Sequence, residues 1–278
     1  MPGAATAGSV RDALGGATDA LAAAGVETPR LDAELLLSES TGWDRARLAA
    51  EPEVGVPAAA AREFGAMVRR RLRREPVAYI LGRKGFRSLD LAVDRRVLIP
   101  RPETELLVEL ALELQPGRVL DVGTGSGAVA LAIVDELPDC EAIATDTSAP
   151  ALEVARANAE RLGLAERVEL VEAMLPPDPG AIDLIVANLP YVAEAGWGDL
   201  EPEVTEWEPR EALLAGPDGL DVLRAAIPAL SPIAPALALE VGIGQAPTVA
   251  QLLFDAGFGK VETRPDLAGI PRLVWGKR

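Results

Sequence analysis

Three residues whose side chains could serve a binding or catalytic site, Asn188, Pro190 and Tyr191, follow a mostly apolar run. The run from Ile182 to Val186 is typical of a buried parallel strand, and Ala187 leads from it into Asn188, Leu189, Pro190 and Tyr191. Open α/β sheets bind ligands at the carboxyl ends of their strands. Asn offers a carbonyl acceptor and an amide donor, Pro stiffens the backbone, and Tyr supplies a flat ring. The stretch therefore suits a clasp for a small planar group that carries an NH2, with a β-turn around a buried Tyr as the alternative.

A second candidate site is a loop with glycine at every second position. It comprises Gly123, Thr124, Gly125, Ser126 and Gly127. Such glycines let the backbone approach a ligand closely. The spacing differs from the G-x-G-x-x-G fingerprint of dinucleotide sites, and Asp121 stands just before it. Because a carboxylate repels a pyrophosphate but attracts an ammonium or sulfonium group, we predict S-adenosylmethionine as the cofactor.

Asp146 ends the next predicted strand, where a carboxylate can accept hydrogen bonds from ribose hydroxyls. Its alternative role is to cap the following helix. Since Thr147 and Ser148 can fill that role equally well, the ribose contact is the favoured interpretation.

Composition narrows the class of protein. The 278 residues are 49% apolar and carry a net charge of −16, which disfavours general binding to phosphate backbones. The run Arg69 to Arg74 offers a local basic patch, for which a solvated helix face is the more common interpretation. The chain contains no histidine, so histidine-based hydrolysis is excluded and no metal site is expected. The single cysteine, Cys140, forms no internal disulfide, and no apolar run reaches the roughly 20 residues of a membrane span. The opening Met1 to Ala5 lacks the order of a signal peptide, and we expect a cytoplasmic protein.

The elements that must position these residues fall into three parts. Residues 1–84 are predicted to be a small helical bundle that recognises a partner. Strands at Phe86 to Val93 and Arg96 to Ile99 are predicted to form a β-hairpin linker within residues 85–100. Pro100 to Glu105 is interpreted either as a helix start or as a loop that lines the active site.

Residues 101–278 alternate between strands and helices, which predicts a doubly wound, Rossmann-like sheet with helices on both faces. Strands are predicted at 118–122, 141–145, 168–171, 182–186, 236–241, 259–263 and 273–275. Helices are predicted at 106–114, 128–136, 149–162, 219–230 and 247–256.

The Asp121 to Gly127 loop, Asp146 and Asn188 to Tyr191 resemble class I S-adenosylmethionine-dependent methyltransferases that modify amino groups. The resemblance is closest to the bacterial peptide-chain-release-factor (glutamine-N5) methyltransferases and covers nearly the whole chain. Further segments carry it: 74–82, Phe86, 98–105, 206–210, 212–213, 216–220, 240–242 and Gln245.

The resemblance implies methyl transfer from S-adenosylmethionine to the glutamine N5 of the Gly-Gly-Gln motif in class I release factors. It implies that Asn188, Pro190 and Tyr191 are catalytic and that Leu189 joins them in binding the substrate amide. Cofactor contacts are implied for the glycine loop with Asp121 and Asp146, for Asn188, and for Met174 after the third strand. We expect a monomer with a protein substrate and without direct nucleic-acid or membrane binding.

Three positions depart from the family's pattern: Leu189 replaces the first Pro of Asn-Pro-Pro-Tyr, Gly85 replaces a Glu, and Met174 lies where an Asp often follows the third strand. Asn-Leu-Pro-Tyr is also the form found in adenine-N6 methyltransferases that act on RNA, so methylation of RNA or DNA is the alternative function. A binding module without activity on the same fold is the second alternative.

Overall fold

The computed structural model describes residues 6–278, so the opening residues 1–5, on which the signal-peptide expectation rests, lie outside the described part. Two compact units divide the chain, with one ending at Gly82 and the other spanning Arg83–Arg278.

The first unit is helical with one short two-stranded sheet. Its helices are α1 (Val10–Ala23), α2 (Pro29–Thr41), α3 (Arg45–Ala50), α4 (Ala58–Arg71) and α5 (Val77–Leu81), and its antiparallel strands are β1 (Thr6–Ser9) and β2 (Gly55–Pro57). Ser9 caps α1, because its hydroxyl accepts the Asp12 N–H. Leucines and one phenylalanine from several helices fill the core: Leu14, Leu21, Leu36, Leu37 and Phe64.

The basic run at the end of α4 is only partly a solvated face, because Arg69 and Arg73 are exposed whereas Arg71 is buried. Arg71 is buried and donates to the Asp32 carboxylate at 2.7 Å, and Arg70 donates to Glu75 at 2.5 Å. Arg74 donates to the carbonyl of Gly25 at 3.0 Å. The interpretation as a solvated face was wrong for the buried Arg71, because its partner Asp32 lies 39 residues earlier in the chain and sequence periodicity does not reveal such a partner.

The second unit is an α/β sheet with flanking helices. Its helices are α6 (Glu105–Leu114), α7 (Ala128–Glu136), α8 (Ala149–Leu162), α9 (Pro202–Thr205), α10 (Asp221–Leu230) and α11 (Ala246–Asp255). Its strands are β3 (Arg83–Phe86), β4 (Leu89–Ala92), β5 (Arg118–Val122), β6 (Glu141–Asp146), β7 (Val168–Glu172), β8 (Leu184–Ala187), β9 (Ala236–Glu240), β10 (Lys260–Pro265) and β11 (Pro271–Lys277).

Seven of these strands form one sheet in the order β10-β11-β9-β8-β5-β6-β7. The five strands from β9 to β7 are parallel, while β11 runs antiparallel to both of its neighbours. Strands β8 and β9 are buried along their whole length, as expected for parallel strands with helices on both faces. The predicted doubly wound sheet is confirmed, and its order reverses between β5 and β8.

The predicted pairing of Phe86 to Val93 with Arg96 to Ile99 is wrong, because residues 96–99 form no strand; a hairpin forms instead within residues 83–92. Strand β3 pairs with β4, with Arg83 opposite Ala92 and Phe86 opposite Leu89, so the turn falls at Arg87 and Ser88. The predicted single strand from Phe86 to Val93 was therefore wrong. Arg87 adopts a positive φ of 53° and its guanidinium pairs with Glu136 at 2.8 Å, and neither feature interrupts the sequence alternation that suggested a continuous strand.

A buried amide ties this hairpin to the glycine loop. The Asn158 side chain on α8 is fully buried, accepts from the Ala92 N–H at 2.7 Å, and donates to the Ala92 carbonyl at 3.0 Å. Its amide nitrogen also donates to the Ser126 carbonyl at 2.9 Å. One side chain thereby satisfies three backbone groups from two segments.

Replacing Asn158 with the similarly sized Leu is expected to lower the free energy of unfolding by at least about 2 kcal/mol, because each buried polar group left without a partner costs roughly 1–3 kcal/mol. Urea denaturation of the full chain measures the change. Glu160→Gln, on the exposed face of the same helix, is the matched control and should change stability little. Equal stability of the two variants would contradict the role given to Asn158.

Candidate active site

Strand register brings the separated sequence motifs to one edge of the sheet. Val122 at the end of β5 lies beside Thr145 on β6 and Ala187 on β8, and Ala187 lies beside Leu239 on β9. The next residues along these parallel strands therefore leave the sheet side by side. This edge lies at the reversal of strand order, where open α/β sheets form their ligand crevice.

The glycine loop uses backbone conformations that favour glycine. Gly123, Gly125 and Gly127 have φ values of 74°, 55° and 84°. A side chain at Gly127 would come within 2.9 Å of Leu131, and one at Gly123 within 3.1 Å of Leu189. At Gly125 no atom lies within 4 Å of the position that a Cβ would take, so the loop backbone is open to an approaching ligand there.

Asp121 lies beneath this loop. Its side chain is buried, and its Oδ2 accepts from the Thr124 hydroxyl at 2.6 Å and from the Ala130 N–H at 3.2 Å. Burial raises its pKa from 3.8 to about 6; the two hydrogen bonds oppose this rise, and the charge of Asp146 adds to it. Asp121 thus both holds the loop and places a poorly solvated carboxyl group at the cavity.

Asp146 organises the loop from the neighbouring strand. Its Oδ2 accepts from the Gly125 N–H at 2.9 Å, and its Oδ1 accepts from the Ser148 N–H at 2.9 Å. Ser148 itself caps α8 by accepting from the Ala151 N–H, as the sequence analysis allowed. Each carboxylate oxygen has a second lone pair, so Asp146 retains capacity to bind ligand hydroxyls.

A cavity of about 330 Å³ opens over these residues, within the size range of small-molecule sites. Ten of the twelve residues predicted for the site line it: Asp121, Gly123, Thr124, Gly125, Ser126, Asp146, Met174, Asn188, Leu189 and Pro190. Gly127 and Tyr191 are not among the lining residues. The chain segment before α6 contributes Pro100 and Thr104, so Pro100 to Glu105 both starts a helix and lines the cavity.

The lining suits a nucleoside that carries an amino-acid moiety. Polar groups of the lining include the open backbone at Gly125 and the carboxyl groups of Asp121 and Asp146. The partly exposed side chain of Met174 adds an apolar surface. The Met174 position is held by the Thr145 hydroxyl, which donates to its carbonyl at 3.1 Å.

Asn188 belongs to a buried hydrogen-bond network that sequence reasoning did not identify. Its Nδ2 donates to the Thr104 hydroxyl at 3.1 Å, and that hydroxyl donates to Oε2 of Glu240 at 2.6 Å. The Tyr191 hydroxyl donates to the other oxygen, Oε1, at 3.0 Å. Thr104 and Glu240 are 4% and 1% exposed, so little solvent competes for these bonds.

Electrostatics of the network centre on Glu240. Burial raises its pKa from 4.5 to about 7, against the lowering effects of its hydrogen bonds to Thr104 and Tyr191. Glu103 adds to the rise and Arg272 opposes it. Burial, and then the nearby Glu240 charge, raise the pKa of Tyr191, so that its phenol stays protonated and acts as a donor.

Further residues support the loop that contains Tyr191. The Gln245 side chain donates to the carbonyls of Tyr191 and Gly219 at 3.0 and 3.2 Å. At Gly219, where φ is 75°, a Cβ would lie 2.3 Å from the Tyr191 carbonyl oxygen, so only glycine fits. The available signal was the segment 216–220 and Gln245, which the resemblance included without assigning roles.

Glu208 holds the segment before α6 through hydrogen bonds to Ile99 and Arg101. Its side chain is 2% exposed; it accepts from the Ile99 N–H at 3.1 Å and from the Arg101 guanidinium at 2.5 Å. In the sequence, Glu208 is distinguished only by the resemblance that the 206–210 segment carries. Its partners lie about a hundred residues earlier in the chain, so local sequence patterns give no indication of the contact.

Residues 6–278 offer neither a metal centre nor a membrane-spanning helix. No group of three or more acidic, cysteine or histidine side chains in this range could hold a metal ion. Across the same residues, every helix is too short or too polar to cross a membrane.

Comparison with known protein families assigns both units. Residues 12–82 match a family described as the PrmC N-terminal domain, and residues 102–201 match the methyltransferase small domain.

Curated relatives match almost from end to end. A protein of Cereibacter sphaeroides named release factor glutamine methyltransferase is 42% identical, with 95% of this chain and 96% of the relative covered. Proteins of the same name from Geobacter sulfurreducens and Moorella thermoacetica are 41% and 43% identical, covering 97% and 95% of this chain and 96% of each relative.

Solved structures share the fold at low identity. The hMettl16 catalytic domain in complex with MAT2A 3'UTR hairpin 1 gives a TM-score of 0.56 at 16% identity, covering 67% of this chain and 74% of that one. A methyltransferase from Pyrococcus furiosus gives 0.52 at 18% identity, covering 70% and 91%. The sheet and its glycine-loop cavity therefore have the fold of a class I methyltransferase.

The chain belongs to the release factor glutamine methyltransferase family, as its near full-length relatives show.

The raised pKa of Asp121 predicts a pH-dependent cost of folding. A carboxyl with a higher pKa in the folded chain contributes stability that is complete below pH 3.8 and is lost as pH rises through about 6. Asp121→Asn removes this loss, so the stability of the variant relative to the wild type should rise by roughly 3 kcal/mol between pH 4 and pH 7.

Urea denaturation across this pH range measures the difference. Asp139→Asn, at an exposed position, is the matched control and should follow the wild-type curve. Parallel curves for Asp121→Asn and the wild type would show that Asp121 is not held at an energetic cost.

Proposed function

We propose that this protein transfers a methyl group from S-adenosylmethionine to the side-chain amide nitrogen, N5, of the glutamine in the Gly-Gly-Gln motif of class I peptide chain release factors. The observation that carries the proposal is the orientation of Asn188. Its amide nitrogen is committed to Thr104, so its carbonyl oxygen remains available at the cavity to accept an N–H from a planar substrate amide.

The cofactor would be held by the glycine-loop wall. The open backbone at Gly125 admits close approach, Asp146 offers lone pairs to ribose hydroxyls, and Met174 offers an apolar surface to the adenine. Asp121 supplies negative charge for a cationic amino-acid moiety. Bound S-adenosylmethionine supplies an electrophilic methyl group on a sulfonium, and transfer to the amide nitrogen releases one proton.

The contribution of the chain is mainly orientation. An amide nitrogen is a weak nucleophile because its lone pair is delocalised into the carbonyl, so a fixed direction of approach lowers the barrier. The Asn188 side-chain carbonyl and the Leu189 backbone carbonyl accept the two N–H bonds of the substrate amide. These bonds strengthen as positive charge develops on nitrogen, and they therefore favour the transition state over the ground state.

Pro190 and Tyr191 have supporting roles in this scheme. Pro190 lines the cavity and stiffens the loop. The Tyr191 hydroxyl is bound to Glu240 and its carbonyl to Gln245, so the ring is fixed at one edge of the loop. Leu189 retains the backbone carbonyl that the scheme requires, and its side chain packs against Gly123.

We further propose a protein substrate, action as a monomer and a cytoplasmic location. The net charge of −16 opposes a nucleic-acid substrate, since phosphate backbones are bound through cationic side chains. In the described part of the helical unit, the basic side chains Arg70 and Arg71 are already paired with carboxylates, which reduces the positive charge available to RNA.

Incubation with S-adenosylmethionine and a release-factor domain should add one methyl group, located by tandem mass spectrometry on the glutamine of Gly-Gly-Gln. The control substrate carries Gly-Gly-Ala and should remain unmodified. A parallel reaction offers ribosomal RNA. Methylation of adenine with none on the release factor would replace this proposal by the nucleic-acid alternative.

Asn188→Ala should reduce the rate of glutamine methylation by about 10²–10³-fold, the loss typical for one aligned transition-state hydrogen bond. Binding of S-adenosylmethionine, measured by calorimetry, should persist because the glycine loop is untouched. Gln251→Ala, which removes an exposed side-chain amide on α11, is the matched control and should keep the wild-type rate. Full activity of Asn188→Ala would exclude the proposed role of this side chain.

A further inference from the structure

The orientation of the Asn188 amide is set by a chain of hydrogen bonds that has a single direction while Glu240 is ionised. An ionised carboxylate carries no proton and only accepts. Because the Thr104 hydroxyl has a single proton and donates it to Glu240 at 2.6 Å, the Thr104 oxygen can only accept from Asn188. The group that faces Thr104 must then be the NH2 of Asn188, and the carbonyl oxygen must point elsewhere.

We propose that Thr104 and Glu240 are positioning residues that hold the Asn188 carbonyl oxygen towards the substrate amide. This inference rests on the proposed function and deepens it. The three residues come from the turn before α6, the end of β9 and the loop after β8, and they meet only because these elements converge at one sheet edge.

The direction of the chain depends on the charge of Glu240. A protonated Glu240 can donate to Thr104, whose own proton is then free to turn towards Asn188 and bind its carbonyl oxygen instead. The amide then loses its enforced orientation. The Tyr191 hydroxyl also donates to Glu240, and this second bond stabilises the ionised form that keeps the direction.

Two charged side chains, Glu103 and Arg272, affect the pKa of Glu240. Glu103 lies in the same turn as Thr104, and Arg272 comes from β11, with its guanidinium 3.9 Å from Glu103 and 3.4 Å from Asp266. Burial is the main cause that raises the pKa of Glu240 to about 7; Glu103 adds to this rise and Arg272 opposes it, so the effects of these two charges partly cancel. Activity should therefore fall as pH decreases below about 7.

The hydrogen-bond chain from Asn188 through Thr104 to Glu240 is called the relay below. Thr104→Val tests it with almost no change in shape, because only the hydroxyl is replaced. We expect the kcat for glutamine methylation to fall by on the order of 10- to 100-fold, as for other small losses of alignment. The Kd of S-adenosylmethionine should be unchanged. Thr104→Ser, which keeps the hydroxyl, should restore most of the rate. Wild-type kcat in Thr104→Val would overturn the proposal, as would equal losses in the Val and Ser variants.

Glu240→Gln provides a second test, the pH dependence of kcat, which would not change if Glu240 had only a structural role. Its side chain does not titrate, so the fall in kcat below pH 7 should disappear, leaving a lower and flat profile. Persistence of the wild-type pH limb in Glu240→Gln would assign that limb to another group and overturn the proposed relay. Denaturation curves of both variants show whether the fold is intact.

A spectroscopic measurement separates this inference from the proposed function. The side-chain amide NMR signals of Asn188 are assigned as those missing in Asn188→Asp, and they should shift in Thr104→Val but not in Thr104→Ser. If the wild type fails to methylate the release-factor domain while these shifts occur, the proposed substrate is wrong and the relay stands. Unchanged signals in Thr104→Val would overturn the relay whatever the substrate.

Discussion

The structure of the catalytic unit depends on the hydrogen-bond register of its parallel strands. With Val122 beside Ala187 and Ala187 beside Leu239, the residues that follow β5, β8 and β9 emerge at one edge. A displacement of one residue would turn each side chain to the opposite face of the sheet. Register is strongly specified here because both faces are buried against helices, so the same packing that stabilises the sheet also assembles the site.

Two buried carboxyl groups, those of Asp121 and Glu240, lie at this edge of the sheet. Asp121 and Glu240 are both buried and both have raised pKa values, yet each retains partners that favour its charge. Burying an ionisable carboxyl group costs folding free energy, which is common where residues serve chemistry rather than stability. In this protein one carboxyl lies beneath the glycine loop, and the other orients a side chain that it does not touch.

Much of this arrangement follows from the sequence alone. The alternation of strands and helices predicts the sheet, and the helices at 128–136 and 149–162 have the predicted bounds, because apolar periodicity and caps such as Ser148 are local signals. The glycine loop and Asn188 are recognisable for the same reason. Thr104 and Glu240 are 136 residues apart, and Glu208 lies 107 residues from Arg101. Contacts at such separations leave no trace in any window of sequence. The hairpin turn at Arg87 was misplaced for a similar reason, because its partner Glu136 lies 49 residues away.

The Asn158 amide gives the hairpin and the glycine loop a shared anchor, and this has a dynamic consequence. Local opening of the hairpin breaks the bonds to Ala92 and so removes two of the three bonds that fix the side chain holding Ser126. Regions linked in this way tend to open as one cooperative unit. A ligand on the loop would thus slow amide hydrogen exchange in the hairpin, and occupancy of the cavity could be followed there at backbone positions that the ligand never contacts.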